Sequence, residues 1–118
     1  MEQSILNTIK KMIGPTIDYT YFDTDIIIHI NSVLSILNQL GIGTPGFTVS
    51  DNTALWSDFV EDGTDLEAVK SYVYLRVKLL FDPPLNSSVI ASMEKTISEL
   101  EWRMNVITEN KKVNEVTN

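Results

Sequence analysis

The sequence predicts an all-α fold: a small bundle of about four helices, with a long aromatic connector between the second and third helices and an extended C-terminal helix and tail. Three observations lead there. Apolar residues recur at spacings of three and four in separate segments. Each segment is bounded by helix punctuation, either a glycine, a Gly-Pro pair or a Pro-Pro pair. One segment, "YVYLRVKLLF" from Tyr72 to Phe81, is apolar nearly all round, the pattern of a helix that neighbours enclose. At 118 residues the chain is one domain, able to bury roughly two thirds of its unfolded surface. We read 1–107 as a single helical domain and 108–118 as a polar C-terminal arm.

The first helix is expected from about Glu2 to Ile13. Ile5, Ile9, Met12 and Ile13, with Leu6 beside them, form a stripe at helical spacing, and Gly14-Pro15 stops it. The stripe is narrow, which predicts a peripheral helix. A connector "IDYTYFD" leads to the second helix, where Asp23 or Thr24 can cap the first amides. Ile26, Ile27, Ile30, Val33, Leu34, Leu37 and Leu40 then share one broad face, and Gly41 ends it.

Residues 41–63, "GIGTPGFTVSDNTALWSDFVEDG", hold four of the five glycines, one proline, a Trp and two Phe. So long a segment in a small domain is either functional or mobile, and its aromatic content predicts that it packs on something. A short helical turn is expected around Asn52 to Phe59. The third helix opens on "TDLE", in which Thr64 and Glu67 form a capping box. It becomes the central helix of the core. Pro83 disfavours helical geometry at Asp82, and two successive residues without amide hydrogens enforce a break.

Beyond it, Asn86 or Ser87 can cap a fourth helix running to about Ile107 or further. Ile90, Met93, Ile97, Leu100, Met104 and Ile107 form its seam. Lys95 with Glu99, and Glu99 with Arg103, stand four apart on its outer surface. The tail "ENKKVNEVTN" drops the pattern, as a frayed or extended arm would. Trp102 lies two residues past Leu100, ~200° around the axis, and so points away from the seam. Two explanations stand level: a single exposed aromatic of no consequence, or contact with a neighbouring subunit.

Composition excludes several functions. There is no cysteine, which removes disulfides and thiolate metal sites. No stretch reaches the ~18 apolar residues of a membrane helix, and the N-terminus lacks the pattern of a secretory leader; the chain is expected to stay in the cytosol, or in whatever particle the cytosol assembles. Net charge is −7, and between Lys11 and Lys70 there is no Lys or Arg among nine acidic residues. A surface that grips phosphates needs basic clusters, so tight nucleic-acid binding is not expected. His29 stands four residues after Asp25, yet one histidine without cysteine makes a poor metal site. "DFVEDGTDLE" lacks the calcium-loop spacing, and Asp65 and Glu67 suit the first turn of a helix instead. "GIGTPG" has the wrong spacing for a phosphate cradle. Neither cofactor nor catalytic residue is expected. A small hydrolase using Asp58 and Asp62 with a metal is the enzymatic rival, and a monomeric or dimeric helical protein-binding module is the alternative outside enzymology.

Taken in order, "FDTDIIIHINSVLSILNQLGIG", "LWSDFV", "LEAVKSYVYLRVKLLFDPP" and "ELEWRMN" resemble the head-tail connector (adaptor) proteins of long-tailed double-stranded DNA bacteriophages and prophages. The likeness spans about residues 3–107 and is most specific at Leu79–Pro84 and Glu99–Asn105. It implies a virion protein at the head-tail junction: a small helical subunit of a homo-oligomeric ring, usually a dodecamer, beneath the portal protein. Such a ring extends the DNA channel, through which double-stranded DNA passes without specific binding, and offers a docking surface to the stopper or head-completion protein. The resemblance maps the C-terminal arm, with Lys111, Lys112 and Val113, onto portal contact. The family shares a shape more than a site motif, so no channel-lining residue is assigned. On this footing Trp102, Trp56 and Phe59 are candidates for the subunit interface, and Pro83 and Pro84 for a hinge between subunit core and ring-forming helix.

Overall fold

The fold is taken from a computed structural model, which describes residues 3–14, 19–60 and 66–117; within the last helix it describes side chains through Val106 and at Thr108. Among the described residues the elements are α1 (Ile5–Ile13), α2 (Asp23–Gln39), α3 (Trp56–Phe59), α4 (Leu66–Phe81) and α5 (Ser87–Thr117). The all-α bundle is as expected, with the helical turn of the connector supplying a short fifth element. Thr64, half of the expected capping box, lies outside the described residues, as does Glu2.

α4 is the centre. Ala68, Val69, Tyr72, Val73 and Val77 are buried, and α1, α2 and α5 all pack on it. α2 contributes Ile26, Ile30, Val33, Leu34 and Leu37, the expected face with Ile27 and Leu40 at its margins. Its start differs from expectation. Phe22 occupies the cap position without a side-chain bond, because Asp23 is used elsewhere: its carboxylate meets the Lys10 ammonium at 2.7 Å.

α1 is not peripheral. Ile5, Leu6 and Ile9 are buried, each contributing about 1.5–3 kcal/mol, and the helix packs on both α2 and α4. Lys10 is 1 % exposed, with its ammonium also donating to the Tyr19 carbonyl at 2.8 Å. Removing one partner of such a pair costs about 3–5 kcal/mol, even though the intact pair adds little over an apolar substitute. Met12, counted in the stripe, faces solvent instead. Ser4 caps the helix by accepting the Asn7 amide.

The connector is held along its length. An isolated antiparallel bridge joins Ser4 to Leu55, with Ile5 N–H donating to Ala54 and Trp56 N–H to Gln3, each at 3.0 Å. The Asn31 amide on α2 donates to the Val49 carbonyl at 2.9 Å and accepts the Val49 amide at 2.7 Å. Gly43, at φ +85°, has the Phe59 ring where a Cβ would stand, while Gly46, at φ +75°, has open space there.

α5 returns antiparallel to α4 after the Pro83-Pro84 break: Leu79 lies beside Glu94 and Ile97, and Tyr72 beside Glu101. Asn86 rather than Ser87 is the cap, its side chain accepting the Ser88 amide at 2.8 Å. Ile97, Leu100 and Met104 are buried; Ile90 and Met93 are half-buried, and the Ile107 side chain lies outside the described set. The expected frayed arm is instead helical: α5 continues to Thr117. Its 31 residues make a rod of ~46 Å, against a longest molecular extent of 49 Å.

Gly43→Ala adds both left-handed strain and a clash with Phe59, and is expected to cost about 2–5 kcal/mol in urea unfolding. Gly46→Ala adds the strain alone, about 1–2 kcal/mol. Equal costs would show that the Phe59 contact does not hold the connector.

Candidate functional site

The features that can act on other molecules belong to α5 and to the end of the bundle where α4 gives way to it. Attachment of α5 comes first, because it determines what the helix exposes. The Tyr72 hydroxyl donates to Glu101 Oε2 at 2.6 Å, Arg76 Nε donates to the Tyr72 oxygen at 2.9 Å, and Arg76 Nη2 donates to the same Glu101 oxygen at 2.6 Å. The guanidinium also stacks over the Tyr72 ring, 5.4 Å from its centroid. One carboxylate thus bridges two residues of α4, a turn apart, and fixes α5 in rotation and in register. Neither sequence spacing nor composition marks this trio, since Glu101 is distant in the chain; only the pairing of Tyr72 and Arg76 at a spacing of four hinted at a shared face.

With Glu101 turned inward, Trp102 turns outward and is 70 % exposed. Lys95, Ser98, Glu99 and Arg103 surround it. No ion pair joins Lys95 to Glu99 or Glu99 to Arg103 among the described residues, contrary to the spacing argument. Val106, one turn on, is also partly exposed.

The other two interface candidates are corrected by their positions. Trp56 is fully buried, its indole N–H donating to the Thr8 hydroxyl at 3.1 Å and its ring lying under the Lys70 ammonium at 5.9 Å. Phe59 is likewise buried and meets Phe47 at 5.6 Å between ring centroids. The connector's aromatics therefore complete the subunit's own core. Pro83 and Pro84 stand at the break as expected. Lys111, Lys112 and Val113 lie on the helical continuation of α5, with side chains outside the described set.

At the proline end is an open groove of about 650 Å³, walled by Phe22, His29, Leu80 and Phe81, with Asp25 and Asp82 also lining it. Phe22 meets Phe81 edge-on at 5.4 Å and His29 meets Phe81 at 6.4 Å. Tyr19, Tyr21, Leu80 and Leu85 are exposed nearby in the chain. Asp82 is bonded to Lys78 at 2.9 Å.

Among the described residues no group of three or more His, Cys, Asp or Glu could hold a metal. Asp58, invoked by the hydrolase alternative, accepts the Leu55 amide at 3.1 Å, and Asp62 lies outside the described residues. Nor is any described helix long and apolar enough to cross a membrane.

The chain is thus a compact helical subunit that buries its own core, keeps one long helix in fixed register and exposes a tryptophan on it. The particular family follows from comparison: the family described as "Phage connector protein" matches residues 5–111, and the chain belongs to it. No curated protein and no solved structure matches. Membership makes the chain a structural component of the phage neck, of a non-enzymatic class, that associates with other head or tail proteins.

Burial pushes the Tyr72 hydroxyl up, helped by its bond to Glu101, to about 12. The unfolded chain releases this proton from near pH 10.0 and the folded chain retains it to about 12, so stability should fall as pH rises through that window. Tyr72→Phe should flatten that part of the urea-unfolding profile, with about 1 kcal/mol lost at neutral pH. For Glu101, burial raises the carboxyl, but the Tyr72 and Arg76 donors outweigh it and hold it below its ordinary 4.5. Its contribution is therefore present above that value and lost on acidification below it. Glu101→Gln should remove this acid dependence; an unchanged profile would show that the carboxylate does not clamp α5.

Proposed function

We propose that the chain assembles into a ring, a dodecamer by family resemblance, beneath the portal of the filled head. There it extends the DNA channel and presents a surface to the stopper or another neck protein. The observation that carries this is the family match over residues 5–111; the exposure of Trp102 on the outer face of α5 supports it. Tryptophan is enriched where subunits meet, and a head-to-tail contact closes when its rotation divides a full turn.

In this scheme the Lys/Arg-free interval from Met12 to Val69 contributes surface to which DNA does not adhere, since adhesion depends on cations that displace condensed counterions. The distal part of α5, with Lys111, Lys112 and Val113, contacts the portal. Pro83 and Pro84 serve as the pivot of α5, and the Tyr72–Arg76–Glu101 clamp limits its swing.

Mixing the purified chain with its cognate portal should yield rings in negative-stain images. Absence of rings, both on the portal and for the free chain at high concentration, would leave a helical binding module as the better description. Trp102→Ala should change subunit stability by no more than about 0.5 kcal/mol and preserve the helical circular dichroism while impairing assembly. Wild-type assembly by this variant would remove Trp102 from the interface.

A further inference from the structure

We propose that the groove at the proline end of one copy receives Trp102 of a second copy of this chain. The proposal rests on the ring assembly above and specifies which two surfaces meet.

The two features complement each other in shape and chemistry. The groove's volume of about 650 Å³ lies within the ~300–1,000 Å³ of cavities that enclose small ligands. It therefore accommodates an indole together with the aliphatic stem of a neighbouring side chain. Its walls are largely apolar and aromatic, with the Phe22 and His29 rings each edge-on to Phe81. An inserted indole can continue that edge-to-face arrangement. Opposite stands Trp102, one of the two tryptophans in the sequence and 70 % exposed. An exposed aromatic flanked by an arginine is the composition of an interface anchor.

Charge agrees with shape. Asp25 has no ion-pair partner among the described residues, whereas Asp82 is already bonded to Lys78, so the groove carries a net negative charge. Around Trp102, Lys95 and Arg103 outnumber Glu99, so that face carries a net positive one. Opposite net charges guide encounter and register more than they add affinity.

The topology requires two copies. The groove is lined from α1, α2, α4 and the start of the break, with no residue of α5, while the residues around Trp102 all belong to α5. Trp102 lies fifteen residues beyond Ser87, ~22 Å along the helix from the proline end. A subunit cannot fill its own groove, and every subunit carries both halves of the contact. When each copy passes the contact on to a third copy instead of returning it, the contact is heterologous, the kind that generates rings.

The absence of cysteine allows a direct test. Ser98→Cys places a thiol beside Trp102 and Asp82→Cys places one at the groove. Both variants, at exposed positions, should keep the wild-type circular dichroism. Mixed in the presence of the portal and treated with a short bis-maleimide linker, they should give a mixed dimer in excess over either like pair. Adding Trp102→Ala to the Ser98→Cys chain should abolish that product. Rings without the mixed dimer would overturn the proposed contact and leave the ring standing. A mixed dimer without rings would uphold the contact and remove the ring. Cross-linking of Asp82→Cys to the portal instead of to a second copy would assign the groove to the portal and overturn the proposal. Neither rings nor mixed dimer would remove both.

Discussion

The fold depends on enclosing α4. Its buried residues Ala68, Val69, Tyr72, Val73 and Val77 take in more than one side of the helix, so a single partner cannot remove them from water. α2 covers one side and α1 another, and α5 supplies the remaining wall. Each neighbour is directed there by a local device. The Lys10–Asp23 pair ties α1 to the start of α2, and the Pro83-Pro84 break lets the chain double back. The Tyr72–Arg76–Glu101 clamp then sets the register in which α5 lies. Because that register turns Glu101 inward, it also turns Trp102 outward. Core packing and presentation of the outer surface are consequences of one placement.

Much of this was legible in the sequence, where a single physical cause dominates. The broad face of α2, the central character of α4, the proline break, the α5 seam through Ile97, Leu100 and Met104 and the outward direction of Trp102 all follow from periodicity or from missing amide hydrogens. What was misread has identifiable causes. Trp56 and Phe59 are candidates for the subunit interface on sequence grounds because an aromatic connector signals burial without saying against what; the structure buries them within the subunit itself. α1 looked peripheral because its stripe is narrow, yet a buried lysine and the bridge to Leu55 draw it into the core. The arm beyond Ile107 lost its apolar seam but not its helical geometry, since a helix needs no seam to continue. The clamp was invisible because Glu101 meets residues 25 and 29 positions earlier, beyond the range of any helical spacing.

Function divides along the same line. Inside, the connector's aromatics are buried and Asn31 holds Val49 by paired hydrogen bonds, so the connector packs on its own subunit. Outside, a tryptophan is left uncovered on α5, an aromatic groove is left open at the proline end, and a long helix continues toward Thr117. This arrangement suits a phage connector protein, whose task is to join other structures. The cost of exposing one aromatic is small for a monomer, while burial of ~150–250 Å² of aromatic surface on assembly is large on the scale of an interface anchor.

Trp102 is solvent-exposed in the free subunit and, in the proposed assembly, covered, while Trp56 is covered in both. Iodide quenching of tryptophan fluorescence separates these populations directly. The free chain should show one quenchable and one protected tryptophan, and the portal-assembled chain two protected ones, after correction for the portal's own tryptophans. If Trp102 remains as quenchable in the assembly as in the free chain, the outer face of α5 is not the surface by which subunits meet.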